Sequence, residues 1–100
     1  SMADEVKVVN LNQTVGIYEQ GDLKLKPGKY IFSVKNENVD HEVGFVLSKK
    51  GFLMKKNITL LRGLYEGQTK QSEVVDLKPG EYHYFCPLNP TPEYTIQVEG

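Results

Sequence analysis

A chain of 100 residues that is 39% hydrophobic suits one compact domain with a single core. Its 12 Lys and Arg nearly balance its 13 Asp and Glu, which leaves no whole-chain field to gather nucleic acid or an anionic surface. The lone cysteine, Cys86, excludes an internal disulfide, and no apolar run reaches the roughly 20 residues that span a bilayer, so no membrane span is expected.

Residues 1–4 follow the pattern of a cloning remnant ahead of one domain over residues 5–100. Turn signals then recur every eight to twelve residues or so, the rhythm of an all-β sandwich. Strands are expected at Val6–Val9, Thr14–Glu19, Leu23–Leu25, Lys29–Lys35, His41–Leu47, Ser72–Leu77, Glu81–Cys86 and Tyr94–Val98. In the fourth, Tyr30, Phe32 and Val34 share one face, opposite Lys29, Ser33 and Lys35. In the last, Tyr94, Ile96 and Val98 alternate with Thr95, Gln97 and Glu99. The entry turn "LKPGKY" at Leu25–Tyr30 is echoed as "LKPGEY" at Leu77–Tyr82. In both, Pro sets φ and Gly takes a positive φ before a core-facing Tyr.

The segment from Lys49 to Lys70 is less regular. Gly51, Gly63 and Gly67 break any long helix, and the expectation is either a helical turn or two around Leu60–Leu64 or a strand with a long excursion. The clusters Lys49-Lys50 and Lys55-Lys56 read as solvated loop charges.

Two residues stand out chemically. His41 precedes the alternating Val43, Phe45 and Leu47, so strand parity turns it inward at the mouth of the core. Cys86 shares a strand face with Tyr82 and Tyr84, while His83 and Phe85 take the other. Pro87, Pro90 and Pro92 then stiffen the following loop, which suits a site that must hold one geometry.

The run Phe32–Asn36, His41 five residues after Asn36, and "LKPGEYHYFC" at Leu77–Cys86 together resemble the cupredoxins, the small blue copper proteins. The resemblance implies an antiparallel Greek-key β-sandwich of seven or eight strands with little helix. It also implies copper as cofactor and a periplasmic or otherwise extracytoplasmic location. His41 and Cys86 match the family's first histidine ligand and its thiolate. Asn89 stands where the second histidine would be, and Tyr94 where the axial methionine would be. Glu93 and His83 are further candidates for ligation or for lining the site.

Two functions stay open at this point. The first is copper binding or electron transfer at a non-standard or incomplete site. The second is a metal-free module whose rigid, partly apolar 87–94 loop meets a redox or structural protein partner. A Cys86–His41 nucleophile pair lacks an oxyanion hole and a third orienting group, so no enzyme is expected.

Overall fold

The computed structural model describes residues 5–51 and 53–100. The expected remnant at residues 1–4 lies outside this range. Among the described residues ten strands are formed: β1 (Val6–Thr14), β2 (Ile17–Tyr18), β3 (Leu23–Leu25), β4 (Gly28–Asn36), β5 (Val43–Lys50), β6 (Lys55–Leu64), β7 (Thr69–Gln71), β8 (Val75–Leu77), β9 (Gly80–Phe85) and β10 (Tyr94–Val98). One sheet runs β2-β1-β4-β7, with β8 also on β4, and the other runs β3-β10-β9-β5-β6. Most neighbours are antiparallel, but β1 pairs with β4 and β3 with β10 in parallel. Among the described residues no helix is long and apolar enough to cross a membrane.

The core lies between the sheets. Phe32 and Val34 of β4 meet Phe45 and Leu47 of β5, Tyr84 of β9, and Ile96 and Val98 of β10. Phe45 packs on Phe32 at a centroid distance of 5.5 Å and on Tyr84 at 5.9 Å. Each buried ring of this kind stabilises the fold by roughly 1.5–3 kcal/mol. The echoed turns take one local form. Gly28 and Gly80 have φ of 152° and 144°. The Tyr30 hydroxyl donates to the Lys26 carbonyl at 2.7 Å, and the Tyr82 hydroxyl accepts from the Lys78 N–H at 3.0 Å. Each Tyr thus ties its strand start to the residue four before it.

In the irregular segment the strand alternative holds and the helical turns do not form: Lys55–Leu64 is β6, a ten-residue edge strand. Pairing with β5 overrides local propensity here. Val43 lies opposite Leu64 and Phe45 opposite Leu61, so Arg62 and Gly63 bulge across from Gly44. Gly44 allows the close approach: a Cβ there would lie 2.9 Å from the Leu61 carbonyl oxygen.

Candidate functional site

Cys86 follows β9 and is 3% exposed. Its Sγ accepts the Gly44 N–H at 3.3 Å and the Asn89 N–H at 3.1 Å. Its own N–H donates to Thr91 Oγ1 at 3.1 Å, and that hydroxyl donates to the Pro92 carbonyl at 2.9 Å. The proline-rich loop is therefore folded onto the sulfur and bonded at both ends.

Around this thiol the polar groups satisfy one another. The Asn89 amide donates to Gln13 Oε1 at 2.8 Å, and Gln13 Nε2 reaches the Gly44 carbonyl at 3.4 Å. The Tyr18 hydroxyl donates to the same carbonyl at 2.8 Å. Burial, reinforced by the nearby Cys86, raises the Tyr18 pKa far above the usual tyrosine range, so the phenol stays a neutral donor. Asn89 thus braces β1 from across the sandwich, instead of replacing a ligand at an open position. Tyr94 belongs to the aromatic cluster, 5.2 Å from the Tyr84 ring, and its hydroxyl accepts the Tyr18 N–H at 3.2 Å.

His41 departs from the inward placement its parity implied. It lies before β5 in a bend, exposed, with Nδ1 2.9 Å from the Glu42 carbonyl oxygen. The reason is the side chain of Asn36, fully buried at the end of β4. Its amide donates to the carbonyls of Val39, His41 and Leu64 at 3.1–3.2 Å, and its Oδ1 accepts the Val39 N–H at 2.8 Å. Glu42 is also held, its carboxylate accepting the Gly63 N–H at 2.8 Å. Strand alternation therefore starts only at Val43, which is 0% exposed and takes the interior position beside the Gly44 donor. The Cys86–His41 nucleophile pair is not assembled.

His83 points to the outer face of its sheet. Its Nε2 lies 2.5 Å from Glu81 Oε2 and its Nδ1 2.7 Å from Glu93 Oε1, and Glu93 also bonds Lys55. The hydrogen bond to Glu81, then that to Glu93, raises the His83 pKa against the opposing effect of burial. The Lys55 bond, then the His83 bond, lowers that of Glu93. A raised histidine pKa contributes stability that is complete below its unfolded value, roughly 6.5, and lost as pH climbs through the folded value. The lowered carboxylates contribute above their ordinary range and lose that contribution in acid. Melting of the wild type should therefore fall as pH rises above about 6.5. His83→Gln should flatten that slope, and parallel pH–melting curves for the two proteins would sink the assignment.

A blue copper centre needs two imidazoles and a thiolate in one plane. Among the described residues no group of three or more His, Cys, Asp or Glu gathers to hold a metal ion. The sulfur faces two backbone N–H groups and a mutually satisfied pair of amides, so the residues present do not fit such a centre. An open groove on the outer face of β3 and β10, lined by Asp22, Leu23, Lys24, Thr95 and Gln97, includes none of the candidate residues. The sequence reading missed Gln13, Gly44 and Tyr18. Only "polar residue amid an apolar alternation" at Gln13 hinted at them.

Two mixed sheets packed face to face, with a cysteine closing one end under a rigid loop, define an all-β sandwich of a known kind. No family model matches the chain, and no curated protein matches it. Among solved structures it is similar to auracyanin B, with a TM-score of 0.76 at 15% identity over 94% of this chain and 89% of that one. It is similar to an auracyanin from Roseiflexus castenholzii, at 0.73 and 12% identity over 97% and 99%. Auracyanin A, a "blue" copper protein from Chloroflexus aurantiacus, gives 0.70 and 11% over 95% and 100%. The chain has the cupredoxin fold.

Proposed function

We propose that this chain is a metal-free cupredoxin-fold module that binds another protein through the loop after Cys86. The observation carrying this reading is the sulfur's environment: it accepts the Gly44 and Asn89 N–H groups, while the Asn89 amide bonds Gln13 and the Tyr18 hydroxyl bonds the Gly44 carbonyl. The same bonds join the loop to the end of β1, so exposed Leu88 and exposed Val15 flank one rigid seam. Pro87, Pro90 and Pro92 leave the loop little entropy to lose on binding. Work outside the cytoplasm belongs to this reading and rests on the likeness of fold.

A second reading keeps His41 and Cys86 as copper ligands. It is favoured by Gly44, three residues after His41, bonding the sulfur directly, and by the blue copper neighbour. It requires the His41 ring to leave the Glu42 carbonyl and turn inward.

One titration separates the two. Freshly reduced protein is given Cu(II) under visible spectroscopy, then Cu(I) against a competing chelator. The expected result is no intense thiolate-to-copper band and no Cu(I) uptake. Tight uptake abolished by both His41→Ala and Cys86→Ser would establish the copper reading. The partner arm compares wild type with a Val15→Asp/Leu88→Asp bait. A protein retained by the first and lost from the second supports the module, and identical captures count against it.

A further inference from the structure

The β5–β6 hairpin lies at the end of the sandwich opposite Cys86, because Lys49 pairs with Tyr82 near the start of β9 and the cysteine follows the finish of that strand. Two lysine clusters that look unrelated in sequence come together there. Lys49 lies opposite Lys56 and Lys50 opposite Lys55. Like charges directly across an antiparallel pair destabilise it, so two such pairs in succession point to an external anion.

The carboxylates nearby account for only half of this charge. Glu81 lies 3.9 Å from Lys50, and Glu93, which also holds His83, pairs with Lys55. Lys49 Nζ sits 5.2 Å from the centroid of the Tyr82 ring. Among the described residues neither Lys49 nor Lys56 has a carboxylate partner.

Above these lysines the hairpin tip is apolar. Leu53 is 86% exposed and Met54 77%, the highest values among the described large hydrophobic residues. The Gly51 N–H donates to the Met54 carbonyl at 3.2 Å and closes the turn that presents them. The far end of the molecule is mixed in charge: Glu37, Asp40, Glu42 and Glu66 gather around Asn36, but Lys35 pairs with Glu37 at 2.8 Å, and Lys70 bonds the Arg62 carbonyl nearby. A negatively charged surface would therefore attract the hairpin end in preference to the other.

We propose that the β5–β6 hairpin docks on an anionic lipid bilayer, with Leu53 and Met54 entering the headgroup–acyl boundary and Lys49, Lys50, Lys55 and Lys56 meeting lipid phosphates. An apolar tip ringed by lysine fits that boundary, where the side chains leave water and the ammonium groups stay at headgroup depth. A nucleic-acid backbone would leave Leu53 and Met54 in water. A second copy would set lysines against lysines. Near balance in total charge does not oppose the inference, since surface fields act within about a Debye length.

Flotation with phosphatidylcholine vesicles, with and without phosphatidylglycerol and at low and high salt, tests it. The wild type should float with the anionic vesicles alone and release in high salt. Each lysine near such a surface contributes about a factor of five, so Lys49→Ala/Lys56→Ala should lower partitioning roughly 25-fold. Lys49→Arg/Lys56→Arg should retain it to within about twofold, because charge rather than shape is read at this depth. Leu53→Ser/Met54→Ser should lower it by at least about tenfold. Leu53, Met54 and Lys56 are exposed and Lys49 is half-buried beside the Tyr82 ring, so Leu53→Ser/Met54→Ser should melt with the wild type and Lys49→Ala/Lys56→Ala slightly below it. No flotation, or equal flotation with neutral vesicles, overturns the proposal. So does a dimer in sedimentation that Leu53→Ser/Met54→Ser abolishes, which assigns the tip to a second copy. Oligonucleotide binding that needs the lysines and ignores Leu53 and Met54 overturns it as well.

Discussion

Asn36→Ala lowers the melting temperature by roughly 12–24 °C, the largest loss expected from any single polar substitution in this chain. The side chain is fully buried and engages four backbone groups, those of Val39 (both N–H and C=O), His41 and Leu64. Truncation leaves these groups short of partners in a closed space, at a cost of about 3 kcal/mol. Asn36→Asp keeps the Val39 N–H acceptor and loses every donor, so it should recover little. Thermal melts of the three proteins by circular dichroism check this. A drop for Asn36→Ala of less than about 4 °C would mean that water replaces the amide freely and that the turn is not built on it.

Gly44→Ala is the second. A methyl there meets the Leu61 carbonyl oxygen at 2.9 Å and the Pro87 ring at 3.5 Å. The first neighbour is backbone of the facing strand and cannot rotate aside. Either β6 shifts, breaking its register at the Gly63 bulge, or β5 withdraws and takes with it the Gly44 N–H bond to the Cys86 sulfur. Overpacking of this kind costs about 2–3 kcal/mol, or a melting drop of roughly 8–24 °C. Denaturant unfolding should show a lower midpoint at an unchanged slope. An unaltered midpoint would mean that the bulge is soft and that the β5–β6 crossing does not fix the thiol's position.

Both residues lie where chain pattern alone had least to say. Strands β4, β9 and β10 were legible because alternation and the repeated Pro-Gly-x-Tyr entry agree with what the core requires. Phe32, Tyr84 and Ile96 are buried where the parity puts them. Strand β6 was not. Its one glycine looks like a breaker, yet Gly63 serves a bulge whose need arises only when Gly44 arrives from another strand. His41 misled for a related reason: parity holds inside a strand, and the Asn36 turn delays β5 by two residues. The loop departure at Asn89 was visible in the sequence. Its bond to Gln13 spans 76 residues and could come only from the assembled fold. The lysine clusters show the same limit, because nothing in the linear order says that Lys49 will face Lys56.

The buried sulfur has a practical consequence. Cys86 is the lone thiol of the chain, and the loop that covers it is tied to β1, to β5 and to itself. A thiol reagent in solution can reach it only when that cover lifts. When closing is fast relative to the chemical step, labelling time courses report the equilibrium between covered and uncovered states. The molecule therefore carries its own gauge of local opening at one end of the sandwich. The gauge needs no engineered probe, and it can be read beside global unfolding to learn whether that end moves alone.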